Sequence, residues 1–300
     1  MSARGWVLFA LMSVIWGVPY LMIKVAVEGV SVPVLVFART ALGALVLLPL
    51  ALRGGARGGL RRRHWPPLAA FAVIEMVIPW GLLSDAERHL TSSMTGLLIA
   101  ASPVVAAVLT YLIDDTERFT LTRWTGLAVG LAGVAVLAWP ELRGGALWPI
   151  TEVLLVAACY AIAPVVALRR LQDVSSLHMT AACLTLAALC YTPPAILTWP
   201  DALPSGRVLA ALAGLGLICT ALAFIVYFAL IREVGAARAL VFTYLNPAVA
   251  VAAGVLLLDE PLTVTILIGF ALILGGSIMA TRRTAEEHAP AASEPARAGS

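Results

Sequence analysis

The chain has 300 residues, 61% apolar and only 12% charged, with a formal net charge of +3. That balance excludes an ordinary water-soluble domain and points to a lipid bilayer, with no sign of a nucleic-acid partner. Cys159, Cys183, Cys190 and Cys219 lie in apolar stretches, and neither they nor His64, His89, His178 and His288 show metal-ligand or catalytic spacing. No glycine-rich phosphate loop is present, which argues against direct ATP use.

Ten apolar stretches, read at roughly 6–27, 32–52, 66–84, 91–112, 121–139, 148–168, 177–199, 207–231, 237–258 and 263–281, each approach the length of about 20 residues needed to cross a bilayer. The first is too long for a signal peptide and lacks a cleavage pattern. On it, Ser13, Trp16, Gly17, Tyr20 and Lys24 follow i, i+3, i+4, i+7 and i+11 spacing and form one stripe. Its aromatic faces suit apolar or cationic groups of a ligand, and its hydroxyls suit polar ones; close helix packing produces the same pattern. Lys24 falls near the far end of the helix, with Glu28 at the supporting i, i+4 distance.

Arg39 in the second stretch lies about 10 Å inside its helix end, so its side chain can snorkel outward or turn inward. It reads as an interhelical clamp or a substrate contact. In the third stretch Glu75 sits about 14 Å from Pro66, near the bilayer midplane. An ionised side chain there costs about 2.5 to 3.5 kcal/mol, so such groups face a cavity or a partner. Glu75 is therefore a candidate for proton or cation binding, with pairing to Arg39 as the structural alternative. Trp80 follows one turn later.

Proline recurs inside the stretches. Pro19, Pro79, Pro103, Pro164 and Pro247 free the carbonyls of Ile15, Glu75, Ile99, Tyr160 and Thr243, opening kinks that accept polar ligands or water. Ser102 and Asn246 precede two of these prolines, with Tyr244 nearby. Gly126 and Gly130, and Gly275 and Gly276, suit close helix packing. The segment 284–300, rich in Ala, Glu and Pro, is expected to be a disordered tail.

Two parts of the chain echo each other. SPVVAAVLTYL, the acidic turn Asp114-Asp115-Thr116-Glu117 and TLTRWTGLAVGLAG reappear as NPAVAVAAGVLLL, Asp259-Glu260-Pro261 and LTVTILIGFALILGG. Pro103 and Pro247 are 144 positions apart, and after a one-residue slip Thr120, Thr122, Gly126 and Gly133 fall on Thr263, Thr265, Gly269 and Gly276. With the N-terminus cytoplasmic, fifteen arginines fall in inner segments, including Arg53, Arg57, Arg61, Arg62 and Arg63, against only Arg88, Arg143 and Arg207 outside. That asymmetry puts both termini in the cytoplasm. Five spans per copy invert the second copy relative to the first, an arrangement that surrounds midplane transport sites.

Here the sequence resembles the ten-helix drug/metabolite transporters built from two EamA domains. The carriers are Ser13-Val14-Ile15-Trp16-Gly17, Arg39, the Pro103 and Pro247 helices, and Glu260-Pro261-Leu262-Thr263 followed by Gly269. Arg118-Phe119 departs from the pattern where the second copy has Pro261-Leu262. The resemblance implies an all-α integral membrane protein of two inverted five-helix repeats, 1–140 and 147–283, ahead of the 284–300 tail. It implies a plasma-membrane carrier, not an enzyme, that moves amino acids or related small metabolites, often outward. Multidrug or cation efflux is the main alternative, and a membrane enzyme or a channel is more remote. The expected site comprises Trp16, Tyr20, Arg39, Glu75, Trp80, Tyr160, Tyr244 and Asn246, with no cofactor or metal. The partners implied are a small-molecule substrate and the lipid bilayer.

Overall fold

The computed structural model describes residues 1–53, 59–113 and 120–281. The acidic turn at 114–117, Arg118, Phe119, Arg57, Arg282, Arg283, Arg297 and the 284–300 segment lie outside the described residues. Among the described residues every regular element is helical: α1 (Ala3–Ile15), α2 (Pro19–Ala26), α3 (Val32–Arg53), α4 (Trp65–Ala72), α5 (Ile78–Ala86), α6 (Ser92–Ile99), α7 (Ser102–Ile113), α8 (Leu121–Arg143), α9 (Leu147–Arg170), α10 (Ser176–Leu197), α11 (Gly206–Ala213), α12 (Ala223–Val234), α13 (Ala236–Ala239), α14 (Asn246–Leu257) and α15 (Val264–Thr281). Consecutive pieces join into nine helices long and apolar enough to cross a membrane, among the described residues.

The ninth expected span, 237–258, is different. Residues 236–257 do not form one helix: α13 passes into a tight 3-10 turn, Leu240–Tyr244, before α14 begins at Asn246. Pro247 supplies the reason, because it lacks an N–H and its ring crowds the carbonyl four residues back. The equivalent Pro103 does the same between α6 and α7, which stop and restart at Ala100 and Ala101. The first span is also broken, between Ile15 and Pro19, so the expected stripe is not one straight helical face. Trp16 occupies the bend. Wide π-helical turns occur at Val73–Val77, between α4 and α5, and at Gly214–Leu222, between α11 and α12. These are equivalent places in the two copies, and π-turns often accompany functional sites.

Helix starts are fixed locally. Thr120 and Thr263, paired in the repeat, accept from the N–H groups of Arg123 at 3.4 Å and Ile266 at 3.2 Å. Thr91, Ser175 and Ser205 cap three other helices, each such cap contributing about 1 kcal/mol. Between helices, small residues permit close approach. A Cβ on Gly133 would lie 2.8 Å from the Ile273 side chain, and one on Gly276 would strike the Gly130 backbone, so α8 and α15 pack with their backbones nearly touching.

Spans alternate in direction. Ser2 meets Glu233 and Arg123 meets Ala280 toward the terminus end, and Lys24 meets Glu87 and Leu90, and Ser92 meets Glu260, toward the opposite end. At the terminus end Arg63 and the buried His64 both meet Asp173, joining the α3–α4 and α9–α10 links. At the opposite end the Ser31 and Thr198 hydroxyls bond at 2.7 Å.

Candidate functional site

The breaks and π-turns converge on a cavity of about 330 Å³ in the middle of the bundle, within the size range of small-molecule sites. All eight residues singled out from the sequence border it: Trp16, Tyr20, Arg39, Glu75, Trp80, Tyr160, Tyr244 and Asn246. Missed were Cys219, Phe224 and Leu274 of the second half, and Leu83, Gly96 and Ala100 of the first; Pro19, Ile99 and Thr243 stand out in the sequence only for their kinks and freed carbonyls. A signal for several of them was available. Trp16 and Tyr160, Glu75 and Cys219, Trp80 and Phe224, Ile99 and Thr243, Ala100 and Tyr244, Ser102 and Asn246, and Pro103 and Pro247 all line the cavity. Every one of these pairs is 144 positions apart.

Arg39 is held from two sides. Its guanidinium carbon stands 3.7 Å over the Trp80 ring, and its Nε donates to the Thr220 hydroxyl at 3.1 Å. The π-turn presents that hydroxyl, which itself donates to the Leu215 carbonyl five residues back at 2.8 Å. A desolvated cation over an aromatic face is worth about 2 kcal/mol. Arg39 is buried, so the snorkelling alternative is set aside. Among the described residues no ion pair joins Arg39 to Glu75, and no hydrogen bond reaches the Glu75 carboxylate. The structural pairing is therefore absent, and Glu75 faces the cavity from the first π-turn with its polar capacity unspent.

Trp16 packs its ring against Phe224, Tyr227 and Phe242, with centroids 5.7, 5.1 and 5.4 Å away. One wall is thus aromatic and rigid. With its amide nitrogen turned toward the neighbouring acceptors, Asn246 donates to the Ser13 carbonyl at 3.2 Å and the Phe242 carbonyl at 3.3 Å, tying α14 to α1. Ser102 instead donates back to Ile99 at 2.6 Å, satisfying the carbonyl that Pro103 frees. The Tyr244 hydroxyl lies 3.1 Å from that of Thr281, toward the terminus end.

Lys24 departs from expectation. It does not pair with Glu28 among the described ion pairs; its Nζ donates to the carbonyls of Glu87 and Leu90, both at 2.7 Å. The Glu87 carbonyl caps α5 and that of Leu90 lies in the turn after it, both without a helical partner, which makes them strong acceptors. No group of three or more metal-ligating side chains occurs among the described residues.

The EamA-like transporter family matches the chain twice, over residues 3–139 and 147–282. The inner membrane transporter YedA of Escherichia coli K12 is 31% identical over 267 residues, covering 85% of this chain and 83% of that one. The transporter YvbV of Bacillus subtilis is 25% identical across 97% of this chain and 95% of its own. A protein of Streptantibioticus cattleyicolor named as a probable terminal-alkyne amino-acid exporter is 28% identical across 95% of both. A solved crystal structure superposes with a TM-score of 0.66 at 20% identity, covering 94% of this chain and 98% of the other, and shares the fold.

Proposed function

The chain belongs to the EamA-like transporter family, and from that premise we propose that it is a secondary carrier that exports amino acids or related small metabolites by alternating access, with Glu75 as the proton-coupling group. The observation that carries the reading is the cavity wall itself. A buried guanidinium and an uncommitted carboxyl face one small space, one wall of which is aromatic. Arg39 suits a carboxylate, Glu75 an ammonium or a proton, and Trp16 with Phe224 an apolar side chain. The similarity to an amino-acid exporter supports the same substrate class.

The terminus end is the cytoplasmic one, which the arginine asymmetry supports. The cavity then has Tyr244 and Thr243 toward the cytoplasm. A proteoliposome screen of amino acids and their derivatives, with and without a pH gradient, tests this reading. Saturable uptake of at least one of them that responds to the gradient is expected. Transport of hydrophobic cations alone would replace it with multidrug efflux. Single-cysteine labelling of the C-terminus in intact cells tests the topology, and modification by an impermeant reagent would reverse it.

A further inference from the structure

At the end opposite the termini the halves meet face to face. A Cβ on Gly96 of α6 would lie 2.6 Å from that of Ala250 on α14. Beyond this seal Glu260, from the link after α14, accepts the backbone N–H groups of Ser92 at 2.7 Å and Ser93 at 3.0 Å, and the Ser93 hydroxyl. The second half thereby caps the first turn of a first-half helix, where a negative charge is favoured. Gly254 leaves the room this needs: a side chain there would run into the Glu260 carboxylate and the hydroxyls of Ser92 and Ser93.

Next to this latch lies Glu87, fully buried, with neither carboxylate oxygen hydrogen-bonded. The Ser92 hydroxyl is likewise buried and without a partner. Lys24, a cation within electrostatic reach, bonds the Glu87 main-chain carbonyl instead of its carboxylate. No other cation acts on the carboxylate, since Arg88 and His89 beside it in the chain are both exposed. Tyr20 of α2 is a neutral phenol within electrostatic reach, Asp85 and Arg88 on the same element pair at 3.3 Å, and Glu152 of α9 faces Asp85. Two carboxylates and one ammonium leave a surplus negative charge in a dry site, which burial without donors strongly disfavours.

We propose that Glu87 is a proton-binding site tied to closure of this end: it holds a proton while Glu260 clamps α6, and its O–H bond breaks, with the proton passing to water, when the end opens. Ionised Glu87 would repel Glu260 in the closed state, so loss of the proton favours opening. The inference rests on alternating opening of the two ends, but not on the substrate or on Glu75.

The test uses a reporter. Cys159, Cys183, Cys190 and Cys219 are replaced by alanine, Ser102→Cys is introduced in the cavity, and an impermeant methanethiosulfonate is added on the Glu87 side from pH 6 to pH 9. Dividing the labelling rate by that of the same protein carrying Glu87→Gln cancels the ionisation of the thiol. The ratio should start near one and rise several-fold with pH. Glu87→Met should behave as Glu87→Gln, which covers poor folding of either, and Glu87→Asp should keep the rise. A ratio flat with pH overturns the proposal, as does a rise that follows sodium concentration instead of pH. Glu75 is present throughout, so a flat ratio with intact transport sinks this inference alone, and failed transport with a rising ratio sinks only the proposed function.

Discussion

At seven paired positions the two halves set side chains against one cavity, and where the first half offers the carboxyl of Glu75 the second offers the thiol of Cys219. Both sit on π-turns at equivalent places. Arg39 repeats the lesson, because the residue 144 positions later is Cys183, fully buried and away from the cavity lining. The halves thus share their helix breaks, while the charged side chains of the lining, Arg39 and Glu75, belong to the first. Symmetric hinges suit two states of similar energy; an asymmetric lining lets a polar ligand keep one orientation through the cycle.

The largest expected effect comes from removing that asymmetry. Glu75→Gln keeps size and hydrogen-bonding capacity but cannot titrate. It should reduce pH-driven accumulation by on the order of tenfold or more, about 1.4 kcal/mol for each factor of ten, while exchange of substrate down its own gradient continues. Wild-type pH dependence in the Gln variant would make Glu75 structural. Trp80 and Phe224 sharpen the comparison next. Both are aromatic and equivalent in position, yet only Trp80 supports a guanidinium. Trp80→Ala should cost roughly thirtyfold in transport, given about 2 kcal/mol for the desolvated stack, and Phe224→Ala clearly less. Equal losses would show that Arg39 does not depend on its ring.

A smaller difference separates Asn246 from Ser102. The amide ties two helices across the cavity, whereas the hydroxyl returns to its own helix. Asn246→Ala should lower transport a few-fold, in line with about 1 kcal/mol per lost hydrogen bond, and Ser102→Ala should stay within about twofold. The opposite ranking in a side-by-side uptake assay would remove Asn246 from the site.

Much of this arrangement was legible in the chain because it rests on sequence-local physics. Apolar length located the spans, proline located the breaks, and midplane depth singled out Glu75 and Arg39. The 144-position offset, applied only to the proline helices, would have reached Cys219 and Phe224 had it been carried along the whole chain. Other features depend on side chains meeting across the fold. Nothing local makes Lys24 prefer the carbonyls of Glu87 and Leu90 to Glu28 at helical spacing, and nothing in Glu260-Pro261 announces that its carboxylate caps α6 168 positions earlier. The two π-turns are equally silent, since the Thr220 hydroxyl and Pro79 widen a helix only in a packed context.

The smallest expected effect tests whether the charge division between the halves extends to the terminus end. There the first half supplies the cation Arg63 and the second the acceptor Asp173, with the buried His64 3.2 Å from the same carboxylate oxygen. The bond from Arg63 holds the Asp173 carboxyl below the usual carboxylate range, and the nearby His64 acts in the same direction. A carboxyl lowered in the folded protein contributes stability that is fully present above its unfolded value of about 3.9, and loses it as pH falls through the folded value. Asp173 is exposed to solvent, so the contribution is small and screened by salt. Thermal unfolding in detergent should therefore place wild type slightly above Asp173→Asn at pH 7, with the gap closing below about pH 4 and narrowing in high salt. A gap that ignores both pH and salt would mean that Asp173 acts through packing of the two links, and that the charge division ends at the cavity.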